Sequence, residues 1–410
     1  MDSGNIAWLL TSASLVLLMT PALALFYGGM SRSKSVLNMM MMSFGAMAVV
    51  GVAWIFVGNG ISVGESMAGG LFGNPTSDLF LNASWVSGDG EALISTGFGA
   101  TFAIITVALI SGSIADRAKF SAWLVFSFLW AILVYSPVSH WVWGGGILSD
   151  AGPIFNEDWF PQDFAGGTVV HINAGVAGLV LALLLGVRKG FGKEPFKPHN
   201  LPFVMIGAAL LWFGWFGFNA GSAFAADDSA AAAWVNTTAA TVAAILGWLL
   251  VEKIRDGKAT SLGAASGVVA GLVAITPAAV AVDPWGALVI GVLAGVFSSL
   301  AVGLKYKFGY DDSLDVVGVH LVSGLWGTVA IGLIGTTTFG AWDGLFLGGG
   351  FGGLWAQIVA AGVTIAYSAV ATLIIGLAIK HTMGFRVSEE IEVAGIDLAE
   401  HGETAYEEAK

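Results

Sequence analysis

Apolar residues run almost unbroken for about twenty positions at a time, and short polar stretches separate the runs from one end of the chain to the other. Eleven runs are readable, approximately Ile6 to Tyr27, Val36 to Val57, Leu93 to Ile114, Phe120 to Val138, Ala165 to Val187, Leu201 to Ser222, Ala231 to Val251, Leu262 to Ala281, Trp285 to Lys305, Val316 to Gly335, and Gly353 to Ile379. Each is long enough for a helix to cross the hydrocarbon core, and none alternates with the period of two that a membrane β-strand needs. The pattern predicts an all-α polytopic membrane protein with eleven transmembrane helices.

The basic residues test that number. Arg32 and Lys34 fall in the first connection, and Arg117 and Lys119 in the third. Arg188, Lys189, Lys193 and Lys197 fall in the fifth, and Lys253, Arg255 and Lys258 in the seventh. Lys305 and Lys307 lie at the ninth connection, while Lys380, Arg386 and Lys410 follow the last run. All 16 basic residues thus lie on one side of the proposed spans. By the positive-inside rule the N-terminus is outside and the C-terminus in the cytoplasm, as expected of a multi-pass protein of the plasma or bacterial inner membrane. A missed or invented helix in mid-chain would have scrambled the pattern.

Composition agrees and removes several functions. Hydrophobic residues make up 56% of the chain and charged residues only 11%, and the 58 glycines suit helices whose backbones approach closely in lipid. Cysteine is absent, which excludes disulfides, thiolate catalysis and Cys-ligated metals. The net charge of -12 owes much to the last 25 residues, so it describes a tail rather than a soluble acidic body. The start, MDSGNIAWLL, lacks the basic stretch of a signal peptide, so the first span is expected to be retained. The expected organisation is a membrane domain over 1–382 and a cytoplasmic tail over 383–410.

A short internal repeat then directs attention to two histidines. HINAGVAG around His171 and HLVSGLWG around His320 share H-x-x-x-G-x-x-G, in the fifth and tenth segments. Five helices separate them, an odd number, so a second copy of a five-helix unit enters the membrane from the opposite side. The expected repeats cover about 5–187 and 200–336, with a final helix at about 353–380. His140, His199, His381 and His401 lie in loops, at helix ends or in the tail, where solvated or capping roles are expected. Ionisable groups inside a membrane are usually functional. Two neutral imidazoles brought together there could relay a proton, seat a small polar solute, or ligate a haem. The glycines, alanines and valines beside them favour a narrow pore over a porphyrin slot.

Aromatic spacing adds a candidate cation site. Phe98 and Phe102 lie four apart, Trp215, Phe218 and Ser222 follow i, i+3, i+7 spacing, and Trp141 and Trp143 lie just beyond the fourth segment. Most such aromatics are packing or interfacial anchors, but a group of them with a serine can cage a small cation. Asp163 and Asp315, eight residues before His171 and five before His320, are expected to cap their helices. Asp163 is expected also to help an outer cation site electrostatically.

Taken in order, FYGGM, DFAGGTVVHINAG, FGKEPFKPHNLP, GWFGFNAGSA, DVVGVH and the tail RVSEEIEVAGIDLAEHGETAY closely resemble the ammonium transporter (Amt/Mep/Rh) family, on its Amt side. The resemblance covers essentially the whole chain. It implies a homotrimer with one pore per protomer, no enzymatic activity and no cofactor or metal. By the same resemblance Trp143, Phe102 and Ser222 look like an outer recruitment site for ammonium, and Phe102 and Phe218 like the phenyl gate. His171 and His320 then match the twin histidines, Trp215 a pore-lining tryptophan, and Asp163 the acid supporting the outer site. Gly99 departs from some bacterial relatives, which carry a bulkier polar residue beside the gate. The tail reads either as a solvated leash or, by resemblance, as a regulatory segment that works with a PII-type signalling protein. The implied function is ammonium uptake by deprotonation and ammonia conduction with a separately relayed proton. A passive ammonia or gas channel, an ammonium sensor signalling through a partner, and a bis-histidine cytochrome are the competing readings.

Overall fold

The computed structural model describes residues 2–155, 158–194 and 196–406. It is mostly helical. Among the described residues, ten helices have the length and apolarity to cross a membrane: α1 (Ser3–Met30), α2 (Val36–Val63), α3 (Gly90–Ile114), α4 (Phe120–Trp143), α5 (Gly167–Leu185), α6 (Leu201–Gly221), α7 (Asp228–Asp256), α9 (Pro284–Phe308), α10 (Val317–Ile334) and α11 (Gly352–Thr382). The eighth predicted span is a shorter apolar helix, α8 (Ser261–Ile275), continued by turns through Val282. Trp141 and Trp143, expected outside the fourth helix, form its last turn.

Helix starts are written into the sequence as caps. The side chains of Asp2, Asp89, Asn200, Asp227, Thr260 and Asp283 accept backbone N–H bonds at the starts of α1, α3, α6, α7, α8 and α9. Each satisfies donors that a helix N-terminus otherwise leaves open, worth about 1 kcal/mol.

Packing depends on glycine. On α6, an added Cβ at Gly207 would lie 2.5 Å from the backbone N of Phe26, and one at Gly217 2.8 Å from the carbonyl O of Ser12, both on α1. Larger side chains at those two positions would separate the first helix from the sixth.

The tail is not a leash. Two short helices, α12 (Glu389–Ala394) and α13 (Ile396–His401), fold back on the side carrying the basic residues. Asp397 accepts the N–H groups of Leu37 and Asn38 at the start of α2, and Glu400 accepts that of Phe120 at the start of α4. Glu392 bonds Arg386 and the Lys189 N–H, while its carbonyl accepts from Arg32. His401 Nε2 pairs with Asn38 Oδ1, and His199 Nε2 with the Tyr406 hydroxyl. Both histidines, expected to be solvated or capping, therefore tie the tail to the body. Beneath it, Asp311 is buried against Arg188 and Arg117. Burial works to raise the Asp311 carboxyl, but the hydrogen bonds and charge of Arg188, with that of Arg117, hold it below the usual range.

Candidate functional site

The two helices that carry the repeat histidines begin in the same unusual way. Both open on a π-helical turn, Gly167–Ile172 in α5 and Val317–Leu321 in α10, and each turn contains its histidine. Such turns are rare and concentrate at functional positions. The glycines of the repeat allow the helices to meet reciprocally. A Cβ on Gly175 would lie 2.6 Å from the backbone N of Leu321, and one on Gly324 would lie 3.0 Å from the His171 Cβ. Each glycine, four residues after its own histidine, faces the other helix's histidine or the residue beside it.

That closeness brings the imidazoles together. The Nδ1 atoms of His171 and His320 are 3.3 Å apart, one donating and the other accepting, and the rings stack at 5.4 Å and 19°. Both side chains are buried, and His171 Nε2 has no partner among the described residues. Whichever ring donates, the two imidazoles take opposite tautomers, and the His171 Nε2 is left for a solute. Two metal–nitrogen bonds of about 2 Å each need a gap of about 4 Å, so an iron does not fit between these Nδ1 atoms. The adjoining cavity measures only ≈ 10 Å³, bounded by His171, His320, Trp215, Phe218, Phe26 and Leu23. That is room for one molecule of about the size of water, and none for a porphyrin.

Trp215 forms a wall of this cavity. Its ring stacks on His171 at 5.5 Å and 16°, and its indole N–H donates to Thr276 Oγ1 at 2.9 Å. Above it, Phe218 and Phe102 stack face to face at 4.0 Å and 13°, both buried. Trp143 meets Phe102 edge to face at 6.1 Å and is 38% exposed. From the exposed surface inward the order is an accessible indole, a closed phenyl pair, then the histidines. Ser222 caps the end of α6, one turn beyond Phe218, and donates its hydroxyl to the Phe218 carbonyl.

Asp163 does more than cap. Its Oδ1 accepts from the N–H groups of Gly166 and Gly167, and its Oδ2 from those of Thr168 and Val169. Its own carbonyl accepts the Trp143 indole N–H at 2.8 Å. One residue therefore fixes the start of α5 and the orientation of the exposed tryptophan.

Asp315 does not cap α10 as the sequence suggested. It sits at a φ of 65° and accepts from the Lys305 ammonium, while Asp312 accepts from the Val316 and Val317 N–H groups. Asp312 precedes His320 by eight residues, the spacing of Asp163 to His171. The run DDSLD offered three acids, and the eight-residue spacing was the signal that distinguished among them. His140 also departs from expectation: it is fully buried, bonded to the Ser62 carbonyl and the Ser66 hydroxyl, and so holds the end of α4 to the end of α2.

The space beside Gly99 is already filled. Trp54 lies there, its indole N–H bonded to the Thr96 carbonyl, and a Cβ on Gly99 would come within 2.8 Å of its ring. Gly99→Gln is expected to cost about 1–3 kcal/mol by overpacking, seen as a lower thermal midpoint. A variant as stable as wild type would show that Trp54 moves freely.

A model of the Ammonium Transporter Family matches residues 7–406. The chain belongs to the ammonium transporter family. An ammonium transporter of Mycobacterium tuberculosis is 53% identical over 99% of this chain and 91% of its own length. The crystal structure of Candida albicans Mep2 superposes with a TM-score of 0.87 at 31% identity, covering 99% of this chain and 90% of that one. A protein described as a sensor Amt protein gives the same TM-score, 0.87, at 26% identity, covering 97% and 98%. The transporter is accordingly a multi-pass membrane protein, and its family is one of transporters, not enzymes.

Proposed function

We propose that the transporter takes up ammonium by capturing it at Trp143, Phe102 and Ser222, deprotonating it near Asp163 and the phenyl gate, and passing ammonia along His171 and His320. The proton crosses separately by the imidazole pair. This reading rests on eleven transmembrane spans in two inverted five-helix repeats plus a last helix, with the N-terminus outside and the C-terminus cytoplasmic. The resemblance supports a homotrimer in the cell membrane and a tail that regulates with a PII-type protein, and the packing of Glu392 and Asp397 against the body supports a regulatory tail over a leash.

The arrangement of a closed phenyl stack directly above two hydrogen-bonded imidazoles carries the proposal. A bare cation entering that apolar constriction would cost tens of kcal/mol by a Born estimate. Removing a proton from an amine-like acid of pKa about 9 costs only about 3 kcal/mol at pH 7. Ammonia is the cheaper species to pass, and potassium, of similar size, has no proton to lose. A passive ammonia channel would use the same gate and differs only in moving no charge.

Current measurement on a solid-supported membrane separates these readings. The purified transporter is expected to give a transient current with an ammonium pulse and none with potassium. Ammonia-driven pH change in the vesicles without current would make it a passive channel.

A further inference from the structure

Asp163 and Asp312 occupy equal places before the two histidines, yet their surroundings differ in one respect that bears on release. On the outer side the carbonyl of Asp163 accepts the indole N–H of Trp143, the last residue of α4. Toward the basic side the carbonyl of Asp312 accepts the ammonium of Lys305 at 2.9 Å, and Lys305 lies near the end of α9. In a five-helix repeat α9 is the counterpart of α4, so the indole and the lysine make matching contacts to the carbonyls of the two acids. The Lys305 ammonium also donates to Asp315 Oδ1 at 2.6 Å and is 7% exposed.

A lysine head is ammonium with one hydrogen replaced by carbon, a compact cation with three donors. Where the outer half keeps an aromatic edge beside a carboxylate and has no basic residue on that face, the inner half keeps two carboxylates beside a cation that cannot leave. We propose that Lys305 is a tethered ammonium filling the inner counterpart of the outer recruitment site, so that cytoplasmic ammonium finds no site there to occupy. This rests on the transport reading and deepens it. Without Lys305, Asp312 and Asp315 would hold a free cation by simple Coulomb attraction, and the substrate would linger where it should depart.

The lysine does not make transport one-way. At zero driving force the ratio of maximal rate to half-saturating concentration must be the same in both directions, because no net flux flows at equilibrium. What Lys305 sets is retention on the inner side: a weak inner site releases quickly and is not filled as ammonium accumulates. It is a positioning and specificity residue, distant from the proton-transfer step.

The test uses full-length transporter in vesicles of one orientation, selected through a C-terminal tag, with Lys305→Met compared with Lys305→Arg and wild type at matched ammonium gradients. Internal ammonium is expected to half-inhibit uptake in Lys305→Met at a concentration at least about tenfold lower than in wild type, with Lys305→Arg resembling wild type. Independently, the thermal midpoint of detergent-purified Lys305→Met is expected to rise in ammonium chloride over choline chloride by more than that of wild type, which has only its outer site to fill. Unchanged inhibition with no ammonium stabilisation beyond that of wild type would overturn the proposal and leave Lys305 as an ion-pair partner. A Lys305→Met chain that folds only in ammonium supports it; one that fails equally in both salts overturns it. Absence of both an ammonium current and an ammonia-driven pH change from wild type would instead defeat the transport reading, leaving the thermal comparison to judge the lysine.

Discussion

Replacing Asp163 with leucine is expected to leave no transport activity and little folded protein. Its carboxylate accepts four backbone N–H groups, and the side chain is buried. Each orphaned buried donor costs about 1–3 kcal/mol, so four together rival the whole stability of an ordinary domain, about 5–15 kcal/mol. The π-helical turn from Gly167 to Ile172 would lose its anchor, and His171 with it. Asp163→Asn keeps the size of the side chain but has only one accepting oxygen, and its amide N–H₂ would face two other donors. Transport is expected to fall at least about a hundredfold in Asp163→Asn, equivalent to about 2.7 kcal/mol. Asp312→Asn should be milder, because that carboxylate holds only the N–H groups of Val316 and Val317. Size-exclusion profiles and ammonium-limited growth would report folding and transport separately. A folded, fully active Asp163→Leu protein would contradict the role assigned to these four bonds.

What the sequence revealed follows from which interactions are local. Apolar runs and the sorting of basic residues report on lipid and on topology, both written one residue at a time, so ten of the expected spans appear close to where they were marked. The eighth is shorter, because Thr276 to Val282 continues as turns that are themselves buried, and hydropathy does not distinguish a buried turn from a helix. The histidine pair was legible because a repeat doubled the signal. Its supporting residues were harder to read. Asp315 lies nearer the apolar run than Asp312, whereas the cap is decided by a backbone reversal at Asp315 that no composition records. His140 looked like a solvated or capping residue because its partners, Ser62 and Ser66, lie more than seventy residues away. The docked tail was hidden for the same reason: Glu392, Asp397 and Glu400 read as solvated acids until the Lys189 N–H that Glu392 accepts and the helix starts that Asp397 and Glu400 cap are brought to them.

Substituting both histidines with leucine is expected to abolish ammonium-dependent charge movement while leaving the pore wall in place. Leucine fills roughly the space of an imidazole, and the phenyl stack of Phe102 and Phe218 and the glycine contacts at Gly175 and Gly324 do not depend on the ring nitrogens. What disappears is the Nδ1–Nδ1 hydrogen bond and the open Nε2 of His171, the polar atoms by which this stretch can pass a proton. Without them a proton would cross as a bare charge through an apolar channel, at a cost of tens of kcal/mol. Neutral ammonia needs no such relay, so ammonium pulses to vesicles bearing the double variant should change internal pH without a current above that of empty liposomes. Retained pH change with lost current separates a broken relay from a misfolded protein, which would lose both. Normal ammonium currents in the double variant would show that the proton takes a path other than the imidazoles, and the paired histidines would then serve only to seat the solute.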